Sequence, residues 1–177
     1  MILIGLGANL ASPEHGAPEA TLRAALEILA ENGVATRLCS RWYCSPPVPA
    51  SDQPWFVNAV ARVETELAPE ALLALLHDVE SRLGRRRRVR WEARIVDLDL
   101  LCYGDLVGGS EPGSELELPH PRMHQRAFVL VPLAEVAPGW RHPTLHRTVE
   151  TLIAELAPAD VAAVAPLAPA ARPAAGT

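Results

Sequence analysis

The sequence predicts an α+β fold, a ferredoxin-like βαββαβ sandwich with a mainly antiparallel sheet, packed helices and a C-terminal helical extension. Two observations support this class. Short apolar runs alternate with two segments in which leucines recur at helical spacing, in the order β-α-β-β-α-β. Each of these helical segments begins at a proline and ends at a glycine, which are typical start and stop signals. The length of 177 residues favours one domain.

The first half of the chain contains three predicted elements and one irregular loop. Residues 2–6 form an apolar run that is typical of a buried strand. Residues 18–32 favour a helix because their leucines fall three and four residues apart, and residues 34–43 follow as a second strand. The segment 45–54 contains four prolines, which lack a donor and restrict the residues before them. We therefore expect a semi-rigid loop there.

The second half continues the same alternation. Strands are predicted over 56–65 and 94–103, and a helix over 69–83 connects them. The elements predicted after the last of these strands are a short strand at 116–118 and helices over 123–133 and 144–156.

The C-terminal segment differs in composition from the rest of the chain. Residues 159–177 are rich in alanine and proline and contain few large apolar side chains. Such a segment buries too little apolar surface to offset the entropy lost on ordering. We therefore expect a folded domain over residues 1–158 and a disordered tail over 159–177.

Composition excludes several classes of function. All 16 residues counted as Lys or Arg are arginine, and the absence of lysine excludes a Walker A phosphate loop and Schiff-base catalysis. The net charge of −5 argues against general nucleic-acid binding. The three cysteines lack CxxC spacing, which indicates neither a disulfide framework nor a zinc site. The apolar N-terminus is short for a signal sequence and no run reaches membrane-spanning length, so we expect a cytoplasmic protein.

Two aspartates stand out within the apolar strand predicted over 94–103. Because side chains alternate along a strand, Asp97 and Asp99 project from the same face with Cα atoms roughly 7 Å apart. Two like charges side by side are unfavourable unless a positive charge lies between them. Hard oxygen ligands at this spacing suit Mg²⁺, which takes its remaining ligands from water and phosphates. The alternative is a strand whose polar face meets solvent.

An arginine-rich segment comes directly before the acidic pair. Residues 85–94 contain six arginines. Cations on one side and a metal held by carboxylates on the other would clamp a phosphate chain, as phosphoryl transfer requires. On composition alone, the same run is equally compatible with a solvated basic surface or a nucleic-acid patch.

Six short segments form a recognisable series of motifs. They are Gly5 to Leu10, Tyr43 to Pro47, Asp52 to Ala59, Glu80 to Gly84, Arg94 to Asp99, and Leu118 to Leu130. Each is weak alone, but together they are specific, and over roughly residues 1–140 their order resembles the 6-hydroxymethyl-7,8-dihydropterin pyrophosphokinases of folate biosynthesis. The resemblance implies transfer of pyrophosphate from ATP to the hydroxymethyl group of the pterin, with AMP as the second product.

The resemblance also implies roles for charged residues. Asp97 and Asp99 would hold two Mg²⁺ ions that bridge the triphosphate of ATP. Arg85 and Arg87 would lie on a catalytic loop that closes over the phosphates. The residues implied in ATP binding are Glu80, Trp91, Arg94, His120 and Arg126. Taken singly, Glu80 also fits a solvated helix carboxylate, and His120 also fits a structural turn residue.

The implied pterin pocket follows the chemistry of a flat heteroaromatic ring. Phe56 and Phe128, the two phenylalanines of the chain, would stack on its faces, and Asn58 would hydrogen-bond its edge. Each phenylalanine considered singly also fits core packing. The residues implied in pterin binding are Ser45, Pro46, Pro47, Val48, Phe56, Asn58 and Phe128.

Two other functions compete with this assignment. A two-metal phosphoesterase would use Asp97 and Asp99 but needs more metal ligands than the sequence places nearby. An RNA-binding module would use the arginine run, but the aromatic signature of RNA-recognition sheets is missing and the net charge is negative. We therefore expect ATP and the pterin as partners, without nucleic acid or membrane, and a monomeric protein.

Overall fold

The computed structural model describes residues 1–84, 93–109 and 116–168. The elements alternate in the predicted order through the fifth strand, and helices dominate the rest. Their bounds are β1 (Ile2–Ala8), α1 (Pro18–Glu31), β2 (Ala35–Cys39), β3 (Tyr43–Ser45), β4 (Phe56–Glu64), α2 (Pro69–Arg82), β5 (Asp97–Tyr103), a 3₁₀ turn (Met123–Gln125), α3 (Ala127–Val136), α4 (Val149–Glu155), α5 (Pro158–Ala162) and β6 (Ala165–Pro166).

The strands of the described part form one sheet in the order β5-β1-β4-β3-β6, and β2 also pairs with β4. Every pairing is antiparallel. Because β2 and β3 lie on the same side of β4, the four positions of the sheet read fourth, first, third, second along the chain, as in a ferredoxin-like sandwich. The predicted α+β class and mainly antiparallel sheet are confirmed.

Helices cover both faces of this sheet. Helices α1 and α2 pack on one face, where Leu22 and Leu76 meet Ile4 of β1 in a buried cluster. Helices α3 and α4 pack on the other face, where Leu130 meets Leu3. Adjacent residues of β1 thus enter opposite cores, as strand alternation requires. No helix in the described ranges has the length and apolar character needed to cross a membrane.

Several predicted elements differ from the observed ones. Strand β5 begins three residues later than the strand expected over 94–103, and the helix expected over 123–133 is divided into the 3₁₀ turn and α3, which ends at Val136. The strand expected over 34–43 is divided into β2 and β3. Between them, the Ser40 side-chain oxygen accepts a hydrogen bond from Val60 N at 3.1 Å, in the place of a backbone carbonyl of a regular strand. The strand expected at 116–118 is reduced to a bridge between Leu118 and Gly108. The last predicted helix begins later than expected, because Thr148 caps α4 by accepting a hydrogen bond from Thr151 N.

The expectation of a disordered tail is wrong for residues 159–168. Helix α5 and strand β6 occupy this segment, and β6 pairs with β3. Val164 is buried beside Tyr43, and Leu167 N donates a hydrogen bond to Trp42 O at 2.7 Å. The short β3 offers an unpaired edge that a few residues can fill. Residues 169–177 lie outside the described ranges.

Candidate functional site

A cavity of about 360 Å³ lies on the α3 face of the sheet, between β1, β4, β5 and the proline-rich loop after β3. Polar and apolar side chains share its wall. The lining residues include Gly5, Gly7, Ser45, Pro46, Pro47, Val48, Gln53, Phe56, Asn58, His77, Arg94, Asp97, Asp99, His120, Arg122, Arg126 and Phe128.

Two glycines of β1 lie at the floor of the cavity, so no side chain of these residues projects into it. Gly7 lies between Asn58 of β4 and Asp97 of β5 in the sheet register, and Gly5 lies opposite Asp99. A Cβ atom on Gly5 would approach the Leu101 side chain to 3.3 Å, and one on Gly7 would lie 3.5 Å from Asn58 Oδ1. The absence of side chains at these positions leaves room for a ligand above the centre of the sheet.

The two aspartates of β5 both line the cavity, and each has an arginine beside it. Arg94 forms an ion pair with Asp97, and the Arg126 guanidinium lies 3.9 Å from Asp99 Oδ2. Asp99 is the more accessible carboxylate, with 38% of its side chain exposed against 22% for Asp97. The charged end of the cavity therefore contains both signs of charge at short range.

Burial lowers the pKa of two basic groups at this end of the cavity. Burial, followed by the Arg126 charge, lowers the pKa of His120 from its ordinary 6.5 to about 4. His120 is therefore neutral at pH 7, and its Nδ1 accepts a hydrogen bond from Arg122 N at 3.2 Å. Burial also lowers the pKa of Arg126, whose guanidinium lies 5.5 Å from the Phe128 ring centre. Arginine nevertheless keeps its charge at neutral pH.

The opposite end of the cavity is neutral. Asn58 Nδ2 donates a hydrogen bond to Ser45 Oγ at 2.9 Å, and both side chains are buried. Phe56, next to Ser45 in the pairing of β3 with β4, lines this end, and Phe128 reaches it from α3. Pro46, Pro47 and Val48 complete the wall. Aromatic faces beside a few fixed polar groups are typical of sites for flat heterocycles.

Glu80, for which the resemblance implies a role in ATP binding, is buried against β5. Its side chain is 1% exposed, and its Oε1 accepts a hydrogen bond from Leu98 N at 2.7 Å. It therefore lies behind β5 and is absent from the cavity lining. Leu98 is the residue between the two aspartates, so Glu80 supports the strand that carries them. This hydrogen bond joins α2 to β5, and such a tertiary contact cannot be predicted from local sequence patterns.

Several polar residues in or beside the cavity were not predicted from the sequence. His77, Gln53 and Arg122 line it, and Asn9 joins two of its walls by hydrogen bonds. The sequence did contain a signal for His77. It precedes Glu80, an expected site residue, by three positions, so the two residues lie on the same side of α2. The predicted residues Arg85, Arg87 and Trp91 lie outside the described residues, as does most of the arginine run.

The donor set fits a metal that takes only part of its ligands from protein. Within the described ranges no three His, Cys, Asp or Glu side chains form a metal-binding group. The Asp97 and Asp99 carboxylates offer hard oxygen atoms, and the adjoining cavity leaves space for further oxygen ligands. This arrangement suits Mg²⁺, which typically binds one or two carboxylates together with water and substrate phosphates.

Comparison with known proteins gives a consistent family. The family model described as 7,8-dihydro-6-hydroxymethylpterin-pyrophosphokinase (HPPK) matches residues 3–138. The 2-amino-4-hydroxy-6-hydroxymethyldihydropteridine pyrophosphokinase of Methylorubrum extorquens is 42% identical over 136 residues, which cover 76% of this chain and 81% of that protein. The protein of the same name from Pseudomonas aeruginosa is 41% identical over 155 residues, which cover 86% and 90% of the two chains.

Solved structures agree on the fold. The wild-type HPPK-DHPS of Plasmodium falciparum with pteroate superposes with a TM-score of 0.66 at 13% identity, over 86% of this chain and 43% of that one. This chain thus spans less than half of the length of that chain. The family match covers more than half of the chain, and the two curated relatives align with this chain along most of their own length. The chain belongs to the 7,8-dihydro-6-hydroxymethylpterin-pyrophosphokinase family.

Proposed function

We propose that this chain transfers an intact pyrophosphoryl group from ATP to the hydroxymethyl oxygen of 6-hydroxymethyl-7,8-dihydropterin, in folate synthesis. That oxygen forms a bond to the β-phosphorus, the bond from this phosphorus to the α–β bridging oxygen breaks, and the hydroxyl proton is released. The products are AMP and the pterin diphosphate. The observation that carries the proposal is one cavity with a neutral aromatic end and a charged end.

The neutral end suits the pterin. Phe56 and Phe128 provide aromatic surfaces for stacking, and Asn58 is held by Ser45 so that its amide has a fixed orientation toward a ring edge. The loop of Pro46, Pro47 and Val48 supplies carbonyl groups and a rigid wall. These groups are neutral, as recognition of an uncharged bicyclic ring requires.

The charged end suits the triphosphate. Asp97 and Asp99 would hold two Mg²⁺ ions, which when bound supply charge neutralisation and align the phosphate oxygens. Arg94 and Arg126 already lie beside these carboxylates and would bind phosphate oxygens, while neutral His120 would act as a hydrogen-bonding partner. Such preorganised charges lower the barrier because they need little rearrangement in the transition state.

Arg85 and Arg87 keep the catalytic role, and Trp91 the role in ATP binding, that the resemblance implies. Glu80 has a positioning role in this proposal, because its buried carboxylate binds the backbone between the two aspartates. We also propose that the protein acts as a monomer in the cytoplasm, where ATP is available. Size-exclusion chromatography with light scattering measures the first of these properties.

One assay tests the proposed function. The protein is incubated with ATP, Mg²⁺ and 6-hydroxymethyl-7,8-dihydropterin, and AMP and pterin diphosphate are measured, with omission of each component in turn. We expect equal amounts of the two products and neither product without the pterin. Release of phosphate without the pterin would indicate the phosphoesterase instead. Absence of nucleotide turnover together with tight RNA binding would indicate the RNA-binding module.

A variant pair tests the charged end. We expect Arg126→Ala to lower kcat/KM for ATP by about 10²-fold or more, because it removes a charge placed for the phosphates. Arg147→Ala is the matched control, because Arg147 is exposed and pairs with Glu155 in the described structure. Equal activity of the two variants would contradict the assignment of phosphates to this end.

A further inference from the structure

The carboxylate of Glu135, near the end of α3, binds the beginning of β3. Its Oε1 accepts hydrogen bonds from Tyr43 Oη at 2.5 Å and from Arg41 Nε at 2.8 Å, and its Oε2 accepts one from Arg41 N at 2.9 Å. The Arg41 guanidinium also lies 5.6 Å from the centre of the Tyr43 ring. We call these three residues the α3 anchor. They are outside the cavity lining, so they can act on a ligand only through other residues.

The two elements that the α3 anchor joins also carry residues of the neutral end. Phe128 precedes Glu135 by seven residues, which is two turns of α3, so the two side chains lie on the same side of the helix. Ser45 follows Tyr43 by two residues, so both side chains project from the same face of β3. The α3 anchor and the neutral end are therefore two contacts between the same helix and the same strand.

Strand β3 can transmit a position because it is paired along both of its edges. Tyr43 lies opposite Asn58 of β4 on one side and Pro166 of β6 on the other. Ser45 lies opposite Phe56. A displacement of Tyr43 is therefore resisted by two neighbouring strands, and one of them carries the other residues of the neutral end.

Helix α3 depends on contacts with the sheet because it is interrupted between Phe128 and Glu135. Pro132 lies inside the helix, and proline has no N–H to donate to the carbonyl four residues earlier, which is that of Phe128. Tyr43 contacts both halves of the helix. Its ring shares a buried cluster with Ala127, against which Phe128 packs, and its hydroxyl binds Glu135. Tyr43 therefore holds the two halves in line.

We propose that Tyr43 and Glu135 are positioning residues that set the place of Phe128 in the neutral end, and thereby the affinity for the pterin. The proposal rests on the proposed function, which assigns the pterin to this end. Van der Waals contact with a stacked ring weakens over fractions of an ångström, so a small displacement of Phe128 lowers the affinity. Asp97 and Asp99 lie on β5, outside the α3 anchor, so nucleotide binding should change less than pterin binding.

Two tyrosine variants form a matched pair for this test. Tyr43→Phe keeps the ring in its cluster and removes the hydroxyl that binds Glu135. Tyr103→Phe also removes the hydroxyl of a partly buried tyrosine, which donates to Leu67 O at 2.7 Å. Tyr103 lies at the end of β5 and outside the cavity lining. A difference in ligand binding between the two variants therefore reports the α3 anchor and not the loss of a hydrogen bond in general.

Calorimetry with 6-hydroxymethyl-7,8-dihydropterin, at saturating α,β-methylene-ATP and Mg²⁺, gives the dissociation constant of the pterin. We expect this constant to rise about fivefold or more in Tyr43→Phe and to stay within about twofold of the wild type in Tyr103→Phe. The dissociation constant of the nucleotide analogue alone should change by less than about twofold in both variants. In steady-state kinetics, Tyr43→Phe should raise KM for the pterin and leave kcat within about twofold of the wild type.

Variants of Glu135 give a second test that does not depend on Tyr43→Phe. Glu135→Gln retains an oxygen that accepts from Tyr43 Oη, whereas Glu135→Ala removes both oxygens. We expect the pterin affinity of Glu135→Gln to lie between those of Glu135→Ala and the wild type. Glu64→Ala is the matched control, because it breaks the exposed ion pair with Arg37 between β4 and β2. We expect wild-type pterin affinity for this control. Thermal unfolding shows whether each variant is folded.

The outcomes separate the positioning role from the function beneath it. Equal pterin affinity in Tyr43→Phe and Tyr103→Phe overturns the positioning role, as does wild-type pterin affinity in Glu135→Ala. Weakening of the pterin and the nucleotide analogue by the same factor also overturns it. In each of these cases, a wild type that forms AMP and pterin diphosphate leaves the proposed function standing. A wild type that binds neither ligand and forms no AMP overturns both proposals.

Discussion

The two ends of the cavity are constructed differently. At the neutral end, polar groups satisfy one another through uncharged hydrogen bonds, as Asn58 and Ser45 do. At the charged end, Arg94 pairs with Asp97 and Arg126 lies beside Asp99. The neutral end is complete before a ligand arrives. At the charged end, the carboxylates that would bind cations already have arginines beside them. The arginines that would bind phosphates in turn have these carboxylates beside them.

This difference separates affinity from rate. A preformed neutral surface recognises a flat ring by shape, and its residues contribute mostly to binding. Paired charges must exchange partners when substrates bind, and the charges placed around a reacting phosphate contribute mostly to the rate. We therefore expect substitutions at the charged end to change kcat and substitutions at the neutral end to change the pterin dissociation constant.

The largest effect is expected from the aspartates. Asp97→Asn or Asp99→Asn keeps the side-chain shape but removes a carboxylate charge, and we expect kcat to fall by about 10³-fold or more. The pterin dissociation constant in the absence of nucleotide should change by less than about threefold. Steady-state kinetics and calorimetry measure the two quantities. Near-normal kcat in either variant would contradict the metal assignment and the division between the two ends.

The next effect concerns pH. The folded-state pKa of His120 is about 4, below the ordinary 6.5 of the unfolded chain, so between these values the unfolded state binds more protons. The stability is therefore full above pH 6.5 and is lost as the pH falls toward 4. The loss from this residue is up to about 3 kcal/mol, reduced by its partial exposure. Burial, followed by the His124 charge, lowers the pKa of His142 and adds a loss in the same direction.

Urea unfolding at pH 7.5 and pH 4.5 measures this loss. We expect His120→Gln to lose less stability between these pH values than the wild type does, because glutamine does not titrate. His142→Gln, in the turn before α4 and away from the cavity lining, measures the separate contribution of that histidine to the loss. An equal loss in the wild type and in His120→Gln would show that the charged end does not hold this histidine neutral.

A smaller effect is expected from the support behind the charged end. Glu80→Ala leaves Leu98 N without the carboxylate that binds it, and we expect a loss of about 1–3 kcal/mol in the free energy of unfolding. We expect kcat to fall as well, because Leu98 separates the two aspartates. Glu27→Ala, at an exposed position of α1, is the matched control for urea unfolding. A similar stability of the two variants would remove the supporting role of Glu80.

The sequence predicted the parts of the site that depend on local pattern. Strand alternation put Asp97 and Asp99 on one face, and both line the cavity. Leucine spacing predicted α1 and α2 closely, because an amphipathic helix must bury a regular stripe. The resemblance supplied Ser45, Asn58 and Phe128 as cavity residues, and the structure brings them together.

Contacts between distant segments could not be predicted in this way. The burial of Glu80 depends on the packing of α2 against β5. The ordered structure of residues 159–168 depends on the edge of β3, with which β6 pairs. The bridge made by Asn9 depends on residues 44 to 85 positions away in the chain. Local pattern fixes which face a side chain takes, whereas tertiary packing decides which partner it meets there.

The smallest effect is expected at the neutral end. Ser45→Ala removes the acceptor that fixes the Asn58 amide, and we expect a loss of about 1 kcal/mol, or about fivefold, in pterin affinity with little change in kcat. Ser81→Ala is the matched control, because Ser81 Oγ donates to His77 O on the exposed side of α2. Calorimetry with the pterin and steady-state kinetics measure the effects. A fall in kcat without a loss of affinity would mean that Ser45 serves the chemical step, and the division between an affinity end and a rate end would then fail at the buried hydrogen bond between Ser45 and Asn58.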